Sequence, residues 1–214
     1  MKRIRNIVLM IICSLIISSC SNNKTVCPDE GHPHLVDLGL PNGTKWACCN
    51  VGANSPEDIG GYYAWGETEV KSVYDDVHYR HSEVSNQIPQ KLGNIAGSQY
   101  DVAHVRQGAP YAMPTSEQWK ELIDYCKWEW VKYKGHHGWK ITGPNGNWIF
   151  LPAGGMKAKE DVCKKDEFGY YWLSEYDFQD GSPCSFFTNG GCRDIRPGGS
   201  YSTYGFNVRA VGIR

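Results

Sequence analysis

Cysteine is the residue type in this chain with the widest chemistry. The sequence has nine cysteines among 214 residues, and a thiol can bind a soft metal, form a disulfide or act as a nucleophile. Seven of them follow residue 20: Cys27, Cys48, Cys49, Cys126, Cys163, Cys184 and Cys192. No pair has the two-residue gap of a zinc knuckle, so we expect no metal site. Because seven is odd, at least one thiol stays unpaired or bridges to another chain.

Cys20 has the sequence context of a lipid attachment site. Basic residues at positions 2, 3 and 5 precede an apolar stretch over residues 7–17 and the small pair Ser18 and Ser19. This order resembles the bacterial lipobox, where the signal peptide is removed and the cysteine is acylated. The apolar stretch is shorter than the ~20 residues of a membrane span. We therefore predict a signal peptide over residues 1–19 and lipid on Cys20, with an ordinary secretory signal or a transmembrane anchor as alternatives.

We predict that residues 20–34 form a flexible tether and that residues 35–214 form one folded domain. Residues 21–34 are polar, contain two prolines and show no apolar periodicity, as is typical of a linker. His32 and His34 lie in this segment, and we expect both to be solvated because two ligands without supporting contacts make a poor metal site. Anchored through Cys20, the domain would be displayed at the outer membrane or cell surface.

The charge balance gives no sign of a polyanionic partner. The chain has 22 basic and 23 acidic residues and a net charge of -1, so no long-range field would attract nucleic acid or an anionic membrane surface. We expect no nucleic-acid partner, and membrane contact only through the lipid on Cys20. Aromatic residues make up 13% of the chain and there are 24 glycines, which favours a loop-rich fold with a ring-filled core.

Local patterns predict one clear helix and several short strands. Thr115 and Gln118 have the spacing of a capping box, and apolar positions 119, 122, 123 and 126 would share the buried face of the following helix. A weaker helix is predicted around residues 98–105. Strands are predicted at residues 139–142 and 148–151, joined by a turn with an Asn-Gly step, and at 169–174, 185–188 and 206–211. Few helices and many short strands predict an α+β domain.

Ordered sequence blocks give the chain a resemblance to a known family. They include Val36-Asp37-Leu38-Gly39-Leu40-Pro41, Tyr63-Ala64-Trp65-Gly66-Glu67-Thr68, Gly169-Tyr170-Tyr171-Trp172 and Tyr204-Gly205-Phe206-Asn207-Val208-Arg209. Spread over residues 35–214, the blocks resemble the Fibrobacter succinogenes major paralogous domain family. The resemblance implies a C-type-lectin-like fold related to the formylglycine-generating enzyme, with few helices, short twisted and mainly antiparallel strands and long loops. The resemblance also implies a place among surface and secreted proteins whose ligands are unknown.

The resemblance also underlies a predicted core disulfide between Cys49 and Cys126. Cys49 lies in a strand block of the family, and Cys126 ends the predicted helix that would pack on the sheet. In the chain-entropy model, closing so long a loop stabilises the fold by roughly 4 kcal/mol.

A copper oxidase like the formylglycine-generating enzyme is the first alternative function. Such an enzyme needs two thiolates near its C-terminal strands to hold Cu(I), and no cysteine follows Cys192. Cys184 and Cys192 flank a predicted hairpin and could be a displaced active pair, but a cross-hairpin disulfide is the simpler interpretation. A structural or assembly subunit of a surface appendage is the second alternative.

Calcium-dependent sugar binding lacks its usual sequence signature. The Glu-Pro-Asn or Gln-Pro-Asp tripeptide of true C-type lectins is missing. Asp177, Asp180 and Asn189 could contribute oxygen ligands, but loop aspartates usually cap turns. We therefore expect no cofactor, with calcium as the alternative. The histidines at positions 78, 81, 136 and 137 have no nucleophile motif nearby, and we expect them at the surface.

The C-terminal loops are the predicted recognition surface. They combine Tyr, Ser, Asn, Arg and Gly, as antigen-binding loops do to make adaptable contacts. The candidate ligand-binding residues are Arg193, Arg196, Tyr201, Ser202 and Tyr204. The alternative is that these loops only connect strands, with Tyr204 and Arg209 as internal anchors. We predict a lipid-anchored, non-catalytic binding or adhesion module for a surface glycan or protein, with no catalytic residues.

Overall fold

Residues 31–81 and 89–212 are described in a computed structural model of the chain. The helices are α1 (Val102–Gln107) and α2 (Ser116–Tyr125), and Pro89–Leu92 forms a 3-10 helix. The strands are β1 (Leu35–Asp37), β2 (Lys45–Ala47), β3 (Tyr111–Ala112), β4 (Lys127–Tyr133), β5 (His136–Thr142), β6 (Trp148–Pro152), β7 (Met156–Ala158), β8 (Asp161–Cys163), β9 (Phe168–Asp177), β10 (Ser182–Asn189), β11 (Cys192–Arg196) and β12 (Val211–Gly212).

The strands form several small antiparallel sheets. One has the order β1-β2-β12-β3, a second β11-β10-β9 and a third β4-β5-β6, while β7 and β8 form a two-stranded ribbon. All strand pairs within these sheets are antiparallel. With two α-helices in the described residues, the architecture is mainly β or α+β, which is consistent with the predicted α+β class.

Helix α2 forms where its capping box predicts. The Thr115 side chain accepts a hydrogen bond from the Gln118 backbone N–H, and the Gln118 side chain accepts one from the Thr115 N–H. Trp119 and Leu122 are fully buried on the inner face. The Trp119 ring stacks on Phe186 of β10 with 4.1 Å between centroids. The cap fixes where this helix begins, and the apolar stripe packs it against the β11-β10-β9 sheet.

Two other predicted elements are found with shifted boundaries. The helix predicted around residues 98–105 is α1, which begins after the cap residue Asp101. The strand predicted at 206–211 is mostly replaced by isolated bridges, in which Phe206 pairs with Tyr63 and Asn207 with Tyr171. Only its end joins β12. The segment does not pair as one strand, because its bridge partners belong to different parts of the chain.

A buried arginine joins two of the sheets. The Arg209 guanidinium is fully buried and donates to the Ala47 and Cys48 carbonyls at 3.0 Å. It also donates to the Phe150 carbonyl of β6 at 2.8 Å and to the Asn50 side-chain oxygen at 2.8 Å. The planar fork thus ties the end of β2 to the β4-β5-β6 sheet. This geometry agrees with the anchoring role considered for Arg209.

Neither predicted disulfide is present among the six cysteines in the described ranges. The hairpin register pairs Cys192 with Asn189 and Ser185 with Arg196. Five strand positions therefore separate Cys184 from Cys192, roughly 16 Å, whereas bridged Cα atoms lie within about 7 Å. The cross-hairpin disulfide prediction is wrong because both cysteines flank the turn at unequal distances from it.

The Cys49 and Cys126 thiols make other contacts in place of the predicted bridge. The Cys49 thiol contacts the Ala53 carbonyl oxygen at 3.7 Å. Burial raises the pKa of the Cys126 thiol to about 12, so this thiol is neutral and packs beside the main core cluster.

The C-terminal end of the predicted tether packs against the domain. His32 and His34 are half-buried rather than solvated. The His34 carbonyl accepts the Cys48 N–H at 2.9 Å, and the Pro33 carbonyl accepts the Tyr111 hydroxyl at 3.1 Å. Cys20 and the rest of the predicted signal and tether lie outside the described residues. Within the described ranges, no helix is long and apolar enough to span a membrane.

Replacing Arg209 should destabilise the fold strongly. Arg209→Met removes four hydrogen bonds and leaves buried carbonyls without their donors, so we expect a loss of about 3 kcal/mol or more in the free energy of unfolding. Arg209→Lys keeps the charge but not the planar fork, so its free energy of unfolding should lie between those of the unmodified chain and Arg209→Met. Chemical denaturation measures both. Arg80→Met, at an exposed position, is the control, and equal stability of Arg209→Met and Arg80→Met would contradict the assignment.

Candidate functional site

A cavity of 870 Å³ lies between three loops, within the usual size range of ligand sites. One wall comes from the segment that contains Tyr79 and His81, one from the β9–β10 turn and one from the C-terminal loop 199–203. The aromatic lining residues are Tyr79, Tyr176 and Tyr201, and the hydroxyl-bearing ones are Ser182, Ser200, Ser202 and Thr203. Asp76, Asp180, His81 and Gln90 complete the polar lining.

The β9–β10 turn is shaped by its own side chains. The Asp177 carboxylate accepts the Gln179 N–H at 2.7 Å and the Asp180 N–H at 3.3 Å. The Tyr176 hydroxyl donates to the Gly181 carbonyl at 2.5 Å. These bonds close the turn and place Asp180 at the cavity.

The C-terminal loop is held on both sides. The Gly199 N–H donates to the Ser182 hydroxyl at 2.7 Å, and the Ser200 and Ser185 hydroxyls lie 3.0 Å apart. Gly198 allows the close approach to the turn, since a Cβ there would lie 2.5 Å from the Asp180 Cβ. The loop is thereby anchored to β10.

Tyr79 forms the buried floor of the cavity. Its hydroxyl donates to the Trp65 carbonyl at 2.8 Å and accepts from the Gln90 side chain at 3.3 Å. The Trp65 N–H in turn donates to the Ser202 carbonyl at 2.9 Å. Burial raises the pKa of Tyr79 far above its usual range, so this hydroxyl stays neutral. The floor is therefore a fixed hydrogen-bonded unit rather than an acid or base.

His81 was expected at the surface, and the structure instead places it half-buried in the cavity wall. Its Nε2 lies 3.0 Å from the Gly66 carbonyl oxygen, and its ring packs edge-on against Tyr79 and Tyr100. Lysine and arginine are missing from the described lining residues, which carry the two carboxylates of Asp76 and Asp180. The described lining is therefore weakly acidic, with tyrosine rings between its polar groups.

The five predicted ligand-binding residues do not converge. Tyr201 and Ser202 line the cavity, and Tyr201 is 67% exposed. Tyr204 lies behind them, with its ring 5.4 Å from that of Tyr201. Arg193 and Arg196 do not line the cavity. The cavity therefore includes only part of the predicted recognition surface.

Both arginines pack on aromatic rings of the sheets. The Arg193 guanidinium lies 5.3 Å from the Trp128 ring centroid and 5.2 Å from that of Trp139. Arg196 lies 4.2 Å from the centroid of Phe187. Strand β11 carries both residues, and its pairing with β10 directs them to these rings rather than to the loop that follows.

Sequence reasoning missed the opposite walls of the cavity. Tyr79 and Gln90 lie more than a hundred residues before Tyr201 in the sequence, and no motif links them to the C-terminal loop. Tyr176 lies in β9, where it extends past the predicted strand. The only available signal was the high tyrosine content, which does not say which rings meet.

The side chains considered for calcium are separated by strand β10. Asp180 precedes this strand and Asn189 ends it, which puts them roughly 20 Å apart. Asn189 accepts the Gly191 N–H at 2.8 Å within the hairpin turn, as Asp177 does in its own turn. Both residues cap turns, as expected for polar loop residues.

The thiols considered for an oxidase are also separated. The Cys184 thiol donates to the Pro197 carbonyl at 2.9 Å, and burial raises its pKa to about 12. Cys192 lies at the other end of the hairpin. The structure thus does not bring these two thiols together.

Cys48 lies in a different environment from the other thiols. Its pKa is lowered to about 4 by a hydrogen bond from Cys49, against the opposing effect of burial, with further contributions from the His34 N–H and the His32 ring. The His32 Nδ1 is 3.2 Å from the Cys48 Sγ. Cys48 and its three neighbours Cys49, His32 and His34 are all absent from the cavity lining.

Comparisons with protein-family models, with curated proteins and with solved structures find no match to this chain.

Removing the Tyr79 hydroxyl should cost stability in a pH-dependent way. Tyr79→Phe loses the hydrogen bonds of this hydroxyl, including those with the Trp65 carbonyl and the Gln90 side chain, so we expect the free energy of unfolding to fall by about 1–2 kcal/mol near neutral pH. Because the folded pKa is raised, the unfolded state ionises first, from about pH 10, and the stabilisation by neutral Tyr79 is lost as pH rises further. The difference in free energy of unfolding between the unmodified chain and Tyr79→Phe should therefore become smaller above about pH 10.

Urea unfolding between neutral and alkaline pH measures this effect. Tyr125→Phe is the matched control because Tyr125 is 55% exposed, and its stability should follow the unmodified chain. If Tyr79→Phe is less stable than the unmodified chain by the same amount at all pH values, the raised pKa of Tyr79 is contradicted.

Proposed function

We propose that the chain is a non-enzymatic binding module of the bacterial envelope, and that its cavity binds a neutral, hydroxyl-rich ligand of the oligosaccharide class. The observation that carries this proposal is the composition of the cavity, where tyrosine rings, hydroxyls and two carboxylates converge without lysine or arginine among the described lining residues. A lipid on Cys20 would hold the module at the outer membrane or cell surface.

The lining suits a ligand with alternating polar edges and apolar faces. The exposed ring of Tyr201 offers a flat apolar surface with a polar tip, and it is braced edge-on by Tyr204. Hydroxyls of Ser182 and Ser202 can both donate and accept, which matches the dual character of sugar hydroxyls. The carboxylates of Asp76 and Asp180 can only accept when ionised, so they favour a ligand rich in O–H donors.

Charge argues against anionic ligands at this cavity. An acidic glycan, a phosphate or a nucleic acid would meet Asp76 and Asp180 without an arginine or lysine in the described lining to pair with. Like charges at short range disfavour such a complex. Neutral oligosaccharides avoid this repulsion and still use the hydroxyl-lined wall.

The proposal extends to the fold. We infer a C-type-lectin-like domain from the ordered sequence blocks over residues 35–214, and the small antiparallel sheets are compatible with it. The C-terminal loop that carries Tyr201 and Ser202 forms one cavity wall, in line with the recognition surface predicted from the composition of the C-terminal loops.

Lipidation is tested by replacing the modified cysteine. Cys20→Ser should move the protein from the membrane to the soluble fraction, because the acyl chains would be its whole anchor. Cys27→Ser, a few residues further along the predicted tether, is the matched control and should stay with the membrane. Mass spectrometry of the native N-terminus identifies the acylated residue, and an unacylated terminus at any other position would contradict the anchor.

Ligand class is tested on an array of neutral and acidic oligosaccharides with the detergent-purified full chain. We expect binding to neutral members, weakened about tenfold or more by Tyr201→Ala, since a central aromatic anchor dominates such contacts. Tyr125→Ala is the control, as a comparably exposed tyrosine on α2. Arg193→Ala and Arg196→Ala should leave affinity unchanged. Binding only to acidic glycans, or loss of binding only in the arginine variants, would contradict the proposal.

A further inference from the structure

Three potential metal ligands come together where the predicted tether meets the domain. They are His32, His34 and Cys48, and one ligand atom from each lies within 4.8 Å of the other two. His32 Nδ1 and Cys48 Sγ are 3.2 Å apart, and the two imidazole rings lie 5.8 Å apart at 29°. In residues 31–81 and 89–212, this is the one group of three such side chains with converging ligand atoms.

Strand register explains why these residues meet. In the β1–β2 ladder Leu35 pairs with Ala47, so the next pair outward is His34 with Cys48. The Cys48 N–H indeed donates to the His34 carbonyl at 2.9 Å. His32 lies just before β1, and its ring reaches the same thiol, with Nδ1 next to the Cys48 Sγ. The ladder therefore places His34 beside the buried Cys48 thiol, and the preceding bend adds the His32 imidazole to the same thiol.

The donor set matches borderline metals such as Zn²⁺. Zinc binds thiolate sulfur at about 2.3 Å and imidazole nitrogen at about 2.0–2.1 Å, so a tetrahedral site separates S and N by roughly 3.6 Å. The observed 3.2 Å between His32 Nδ1 and Cys48 Sγ differs from this value by a few tenths of an ångström. A small outward shift of one ring would accommodate the ion.

Supporting contacts around the thiol are also those of a metal site. The His34 backbone N–H points at the Cys48 Sγ at 3.4 Å, and such N–H donors orient a metal-bound thiolate. Cys48 is only 2% exposed, whereas both histidines are half-buried. The sulfur is thus shielded and the histidine side is open to an entering ion.

We propose that His32, His34 and Cys48 form a binding site for a divalent metal of the zinc class. The ion would clip residues 32–34 onto the end of β2 and set the point where the tether leaves the domain. Three protein ligands leave a fourth tetrahedral position for water or another donor. This site goes beyond the proposed ligand cavity and departs from the sequence-based expectation of no metal.

Cobalt provides a direct readout of the site. The full-length chain, purified in detergent, reduced and stripped with a chelator, is titrated with Co²⁺ and then with Zn²⁺. We expect one equivalent of Co²⁺ to give a sulfur-to-metal charge-transfer band and tetrahedral visible bands, which Zn²⁺ abolishes by displacement. Cys48→Ser should lose the charge-transfer band. His32→Gln and His34→Gln should weaken Co²⁺ binding by at least about tenfold, since even outer partners of a metal contribute that much.

Matched variants separate this site from incidental thiol or histidine binding. Cys163→Ser and His78→Gln alter a partly exposed cysteine and an exposed histidine outside the cluster, and both should keep the bands and the affinity. Zn²⁺ should also raise the melting temperature of the unmodified chain but not of His34→Gln, which keeps the readout available if Cys48→Ser does not fold. Bands that survive Cys48→Ser, or unchanged affinity in both histidine variants, would overturn the proposal.

Discussion

The buried guanidinium of Arg209 is the interaction on which the arrangement of the sheets depends. It donates to carbonyls at the end of β2 and in β6, and to the Asn50 side chain. Asn50 in turn donates to the Ile59 carbonyl at 2.8 Å. An arginine with several donors in a rigid fork can hold separate backbone segments in one plane. The loops of a β-rich domain with short strands therefore converge on one polar hub inside an aromatic core.

The cavity depends on this hub because its C-terminal wall precedes Arg209 in the chain. Residues 205–207 bridge to Lys157, Tyr63 and Tyr171, and these bridges position the loop that carries Tyr201 and Ser202. The Ser202 carbonyl of this loop then accepts the Trp65 backbone N–H, and the Gly199 N–H donates to the Ser182 hydroxyl. A site held in this way is preorganised, so a ligand would lose less affinity to the ordering of loops. The contacts that stabilise the core thus also hold the walls of the proposed site in place.

The candidate site contains some of the residues that composition predicts and leaves out others. The C-terminal loop was singled out by its tyrosines, serines and glycines, and Tyr201 and Ser202 do line the cavity. The two arginines were included because arginine is common in interfaces. They instead cover tryptophan and phenylalanine rings of the sheets. Composition indicates that a loop can bind, but strand pairing decides which side chains of that loop share a face.

Local signals in the sequence determined the capping box of α2 and the β5–β6 hairpin, because these depend on residues a few positions apart. Only the tertiary structure decided which distant segments pair. Strand register moved Cys184 away from Cys192 and placed His34 beside Cys48, and the packing of loops placed Tyr79 and Tyr201 at one cavity. Such pairings follow from the packing of the whole core, and a shift of one residue would turn every side chain of a strand to the opposite face. Which side chains from distant parts of the sequence share a site is therefore decided by the packing of the tertiary structure.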